Sequence, residues 1–136
     1  MKFGEKLSEC RKQANMTQRE LGAKIGVSAR SIINYEVNGS YPKKREVYTK
    51  LAEIFKVDIN YFLTEDEEFT LEASEKYGVK GQSEAKQILE QTSALFAGGE
   101  LDEKDKDAFF KTMTEIYFDA KEKAKKYTPS KYRKDD

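Results

Sequence analysis

The sequence has no histidine and no tryptophan, one cysteine and two prolines in 136 residues. Without histidine there is no Ser-His-Asp or Cys-His constellation, and the commonest general base and transition-metal ligand are missing. A lone Cys10 permits neither an intramolecular disulfide nor a cysteine zinc cage. No apolar run approaches the ~20 residues that span a bilayer. The opening Met1-Lys2-Phe3-Gly4-Glu5 has no apolar stretch behind a basic start, so no secretory leader is expected and a cytoplasmic location is. No glycine-rich phosphate loop is present. These absences argue against an enzyme and against any metal or cofactor. Net charge is missing too: 25 basic residues balance 25 acidic ones, at a mean hydropathy of −0.85.

The balance is a cancellation. Residues 1–64 hold twelve Lys/Arg against seven Asp/Glu, a net +5. Residues 65–107 hold five against thirteen, a net −8, and residues 108–136 return to +3. Such asymmetry points to an anionic partner for the N-terminal part and to a middle segment that repels it. Glu67 and Glu68 are read as exposed acids of that segment.

The first 64 residues read as five short helices. Phe3, Leu7, Cys10 and Ala14 form one apolar stripe, which assigns Cys10 to a core rather than to redox chemistry. Thr17 and Glu20 have capping-box spacing, with Met16 and Leu21 as the hydrophobic staple. Gly26 supplies a tight turn. Ser28 caps a third helix, stapled by Val27 and Ile32 and ending before Asn38-Gly39-Ser40. Pro42 suits the first turn of a fourth helix carrying Val47, Leu51, Ala52, Ile54 and Phe55. Asp58 caps a short fifth with Tyr61, Phe62 and Leu63.

Residues 65–81, with two glycines and no sustained period, read as an acidic linker with at most one helical turn. Residues 82–127 read as a helical hairpin around Gly98-Gly99. Its first helix carries Ala85, Ile88, Leu89, Thr92, Leu95 and Phe96. Asp102 caps the second, whose stripe is Ala108, Phe109, Met113, Ile116, Tyr117 and Ala120, with Phe110 and Phe118 off the line. Residues 128–136 form a charged tail, and fraying is expected from Lys121 onward.

The pair of helices at 17–25 and 28–37 carries the functional signal. Gln18 opens the first, Gly22 allows close crossing, Gly26 makes the turn, and Val27 and Ile32 lock the second against the first. The segment TQRELGAKIGVSARSIINYEVNGSYP resembles the phage-repressor-type (XRE-type) helix-turn-helix regulators, whose usual pattern is T-Q-x-x-L-A-x-x-x-G-V-S-x-x-x-I-x-x-[YWL]-E-x-G-x-x-x-P. The resemblance covers residues 3–64, and it departs from the pattern twice. Gly22 replaces alanine, at a cost of up to ~1 kcal/mol of helix stability. Val37 stands as an extra residue between Glu36 and Asn38-Gly39.

The resemblance implies an all-α chain: a five-helix lambda-repressor-like DNA-binding domain at 1–64, then the C-terminal helical hairpin. It implies a DNA-binding transcriptional regulator, most simply a repressor that works as a homodimer on a palindromic operator in double-stranded DNA. Groove geometry then assigns Ser28, Ala29, Arg30 and Asn34 to base edges. Arginine matches guanine O6/N7, asparagine matches adenine N6/N7, and Ala29 reaches a thymine methyl. Gln18, Asn38, Lys43, Lys44 and Arg45 are assigned to backbone phosphates. The competing reading for each is a solvated helix face, strongest at Lys43-Lys44-Arg45. Tyr41 either touches the DNA backbone or covers the turn.

Phe96, Phe109, Phe110, Tyr117 and Phe118 are too many aromatics for a two-helix unit to bury, so they are assigned to dimerisation; packing on the N-terminal domain is the competing use. The acidic cluster at Asp102, Glu103, Asp105 and Asp107 lacks EF-hand spacing and reads as a dipole-favoured helix start. LFAGGELDEKDKDAFFKTM resembles C-terminal extensions of small regulators from Gram-positive bacteria, often on mobile elements. The alternative function is an antitoxin-like or partner-controlled module whose C-terminal half binds a toxin or protease.

Overall fold

Seven α-helices make up the regular structure of the computed structural model, which describes residues 2–127: α1 (Phe3–Gln13), α2 (Gln18–Ile25), α3 (Ala29–Val37), α4 (Arg45–Phe55), α5 (Ile59–Phe62), α6 (Glu65–Phe96) and α7 (Glu103–Tyr127). The tail at 128–136 lies outside the described residues.

The five N-terminal helices close around Phe3, Leu7, Leu21, Ile25, Ile32, Val47, Tyr48, Leu51 and Phe62, all buried. Phe3 is the hub: its ring meets Tyr35, Tyr41, Tyr48 and Phe62 at centroid distances of 5.5–6.2 Å. The helix starts are written locally. Glu20 N–H donates to Thr17 Oγ1 and Thr17 N–H to Glu20 Oε1, both at 3.0 Å, so the capping box forms. Ser28 Oγ accepts from Ser31 N–H at 3.1 Å, and Asp58 from Asn60 N–H at 2.8 Å. Both staples pack on the core through Met16 and Val27. Cys10 packs there too, and burial pushes its thiol pKa up.

Two expectations about α4 are corrected. Pro42 is not in its first turn: α4 begins at Arg45 behind an extended Lys44, and Pro42 is fully buried in the preceding loop. Tyr48, absent from the expected stripe, is fully buried, and its hydroxyl has no hydrogen-bond partner among the described residues.

The largest correction is at 65–81, which is helical rather than a linker. Thr64 and Glu67 form a capping box, and Glu65, Asp66, Glu67 and Glu68 lie in the first turn, where the helix dipole favours acids. Glu67 is 4% exposed, so it is not a free surface acid. The glycines taken as linker punctuation do other work. Gly78, at φ 71° and ψ −152°, bends α6 sharply into two arms, 65–77 and 79–96. A Cβ on Gly81 would lie 2.4 Å from the Ala73 carbonyl oxygen, so glycine there lets the second arm fold back against the first.

The C-terminal part is therefore three helical arms, not two. Phe69 and Ala73 from the first arm, Ala85, Ile88 and Leu89 from the second, and Phe110, Met113, Tyr117 and Phe118 from α7 share one cluster. Phe69 meets Phe110, Tyr117 and Phe118 edge-on at 5.4–6.1 Å. The third arm covers the aromatics that two helices cannot. It also bridges the two cores, because Leu71 belongs to the N-terminal one. On α7 the inward face is Phe110–Met113–Tyr117, with Phe118, while Phe109 and Ile116 of the expected stripe are 42% and 63% exposed. Helix α7 continues to Tyr127, past the expected fraying point.

Candidate nucleic-acid interface

Helices α2 and α3 cross at the glycine turn. Gly26 has φ +76°, the left-handed conformation a tight turn needs. A Cβ on Gly22 would lie 2.7 Å from the Val27 carbonyl oxygen. The glycine that costs helix propensity thus permits the close approach, and alanine would need the turn to shift. Gly4 does the same between α1 and α3, where a Cβ would lie 2.3 Å from the Tyr35 carbonyl oxygen.

Behind the pair lies an ion-pair lock that sequence spacing did not reveal. Arg11 Nε donates to Glu36 Oε2 at 2.8 Å and Nη2 to Oε1 at 3.0 Å; Nη1 donates to the Met16 carbonyl at 2.9 Å. The side chains are 12% and 4% exposed. The bond from Glu36 raises the Arg11 pKa further. Gln18 Nε2 joins the lock, donating to Glu36 Oε1 at 3.2 Å. One carboxylate thus holds α1, α2 and α3 in register. Gln18 still presents its backbone N–H, with that of Arg19, at the open start of α2.

The expected base-reading residues lie together on α3. Ser28 and Arg30 are exposed, and Ala29 and Asn34 are half-buried. Arg30 has no ion pair among the described residues. Ser28 Oγ lies 3.1 Å from Ser31 Oγ. Asn38 Nδ2 donates to Asn34 Oδ1 at 2.9 Å, so these two amides form one unit on the helix. The residue inserted at Val37 is absorbed by the helix: Val37 is its last residue, 71% exposed, and Gly39 turns the chain at φ +70°. Asn34, Ser40, Tyr41, Lys43, Lys44 and Lys50 line a groove of about 370 Å³ between α3 and α4.

Of the expected phosphate residues, Asn38, Lys43 and Lys44 are exposed near the end of α3. Arg45 is placed elsewhere. It donates to Glu68 at 2.8 and 2.9 Å and to Glu75 at 2.9 Å, so it anchors α6 to α4 and is not a free cation. The same bonds show that Glu68 is paired rather than a free acid. Tyr41 packs on Phe3, and its hydroxyl pKa is pushed up to about 12, first by burial and then by Glu67, Asp66 and Glu90; it covers the turn.

The aromatics expected at an interface divide. Phe110, Tyr117 and Phe118 are engaged inside the chain by Phe69. Phe96 and Phe109 pair at 5.7 Å at the far end of the hairpin, and Leu95, Phe109 and Ile116 border a shallow apolar groove of about 360 Å³.

No helix among the described residues is long and apolar enough to cross a membrane. Residues 4–68 match the family model of a helix-turn-helix domain. Over 115 residues, 83% of this chain and 90% of the relative, the sequence is 28% identical to the uncharacterized HTH-type transcriptional regulator YqaE of Bacillus subtilis (strain 168). Over 67 residues, 49% of this chain and 52% of the relative, it is 31% identical to the HTH-type transcriptional regulator ImmR of the same organism. No solved structure matches significantly. With the locked, glycine-crossed α2–α3 pair at its centre, residues 4–68 form a helix-turn-helix domain similar to those of HTH-type transcriptional regulators.

Proposed function

We propose that the chain is a cytoplasmic, sequence-specific repressor that binds a palindromic operator in double-stranded DNA as a homodimer. The observation that carries this reading is the division of polar groups around α3. Arg11, Gln18 and Glu36 are engaged behind it, while Arg30, Ser28 and Asn38 are exposed. Arg30 reads guanine; Asn34, braced by Asn38, reads adenine; Ala29 meets a thymine methyl. Ser28 caps the helix through Ser31 N–H, and its exposed hydroxyl, beside that of Ser31, lies where it can turn to a phosphate or base. The N–H groups opening α2, with Asn38, Lys43 and Lys44, hold the backbone. Dimerisation is supported by the exposed apolar edge of Leu95, Phe109 and Ile116, continued by Phe96; Phe110, Tyr117 and Phe118 would support that edge from beneath.

Selection from a random DNA pool tests the reading. A palindrome with half-sites about one helical turn apart is expected. Arg30→Ala should weaken binding by ~1–3 kcal/mol and relax one base position. Identical binding of every site variant by parent and Arg30→Ala would overturn the docking. A second reading, a toxin or protease held by the C-terminal half, is favoured by an open groove of about 970 Å³ with Phe69, Phe110 and Phe118 on its floor. Co-purification of a stoichiometric partner, with the free chain monomeric in sedimentation, would select it.

A further inference from the structure

The second arm of α6 lies against the loop that follows α3. Gln82 Nε2 donates to the Tyr41 carbonyl at 3.3 Å. Lys86, one turn on, has its Nζ 3.8 Å from where a Cβ on Gly39 would be. Between arm and loop is a pocket of about 290 Å³. Lys43 and Lys86 face it from the two elements, with Ser40, Ser83 and Gln82 between them, and no carboxylate lines it. Neither lysine has an ion pair among the described residues, although Glu90 is only one turn beyond Lys86 on the same arm. Two unpaired cations, two hydroxyls and an amide around a small pocket without an acid are the donor set of an oxyanion site.

Its position selects the anion. The pocket adjoins the Asn38-Gly39-Ser40 turn, beside the residues assigned above to the DNA backbone. The adjacent cation expected from sequence, Arg45, is engaged by Glu68 and Glu75. We infer that Lys86, delivered by the C-terminal half, joins Lys43 in binding a backbone phosphate of duplex DNA, so that the footprint extends beyond the helix-turn-helix domain. The inference rests on the DNA-binding reading above. It also gives the Gly78 bend a purpose: the bend sets the second arm, and hence Lys86, against the loop.

The test is a salt titration of full-length chain on a duplex of mixed sequence, which needs no known operator. Parent, Lys86→Gln, Lys86→Arg, Lys44→Gln and Lys104→Gln are compared, the last removing the same charge from the exposed start of α7. Each phosphate contact contributes about 0.9 to the slope of log affinity against log salt. Lys86→Gln should flatten the slope by about that amount, so its deficit against parent should shrink about 3.5-fold between 50 and 200 mM salt. Lys86→Arg should restore the parental slope, and Lys104→Gln should leave it unchanged. If Lys44→Gln flattens the slope and Lys86→Gln does not, the phosphate assignment of Lys86 is overturned while the DNA-binding reading stands. An equal change from Lys104→Gln would reduce the effect to net charge and overturn it as well. If the parent does not bind duplex DNA, both fall together. Should Lys86→Gln lose its helical circular dichroism, the Lys86→Arg slope decides: a flattened slope in the folded arginine variant counts against the site.

Discussion

Arg11–Glu36 and Lys121–Glu84 are both ion pairs between helices, at 2.8 and 2.9 Å, yet they do different work. The first is 12% and 4% exposed and ties three helices through one carboxylate; the second is 24% and 34% exposed and rims an aromatic cluster. Around α3 the polar groups are locked inside and the outer face is left open. Around α7 the rings hold the arms together, and the charges guide their docking from the edge. The difference teaches where geometry has to be exact. A helix that reads base edges needs a fixed angle, which directional bonds supply. A cluster built on Phe69 needs burial, which is tolerant of direction.

The largest effect should come from breaking the lock. Glu36→Ala leaves a nearly buried guanidinium without its carboxylate, and stability in urea should fall by about 3–5 kcal/mol. A loss below about 1 kcal/mol would mean that apolar packing alone sets the α1–α3 angle. The comparison would then collapse.

That lock was not legible in the sequence, because residues 25 apart pair only after the fold exists. What was legible is local: the Thr17–Glu20 capping box, the Ser28 cap, both staples and the Gly26 turn all concern residues within one or two turns of one another. The errors share a cause. Gly78 and Gly81 look like loop punctuation in the sequence, but one is a bend and the other a close contact, and only a neighbouring arm tells these apart from a loop. On α7 the runs Ala108-Phe109-Phe110 and Ile116-Tyr117-Phe118 fit a helical stripe in more than one phase, and Phe69, on an unexpected third arm, selects the phase. The pairing of Arg45 is hidden for a similar reason: its acidic partners lie 23 and 30 residues away.

The next largest effect tests the bend. Gly78 occupies a conformation nearly closed to residues with a Cβ, although its surroundings are open. Gly78→Ala should therefore cost about 1–3 kcal/mol through the backbone alone. If α6 straightens instead, Gln82 and Tyr117 leave their partners and the aromatic cluster opens. Fluorescence of an apolar dye would then rise. An unchanged urea midpoint would show that the arms do not depend on the bend.

Smaller still is an acid effect confined to the C-terminal arms. Burial pushes the Glu84 carboxyl up, but bonds from Lys121 and Tyr117 outweigh it and hold the group below its ordinary value. A lowered native pKa stabilises the fold above the ordinary carboxylate value, about 4.3, and that contribution is lost as pH falls through the lowered value. Stability followed downward from pH 5 should decline more steeply in the parent than in Glu84→Gln. Equal slopes would remove Glu84 from the docking of α7.

The smallest effect is expected at Arg45, and it separates anchor from DNA contact. Its pairs with Glu68 and Glu75 are roughly 40% exposed on both sides, so water screens them. A three-charge network of this exposure contributes about 1 kcal/mol or less, and Arg45→Ala should lower stability by no more than that. Because its guanidinium already faces two carboxylates, removing it should leave the salt dependence of DNA binding unchanged, whereas Lys44→Gln should flatten it by about 0.9. A flattened slope for Arg45→Ala would mean that DNA draws Arg45 away from α6. The anchor between the two regions would then be one that binding releases, and their contrast would hold only for the free protein.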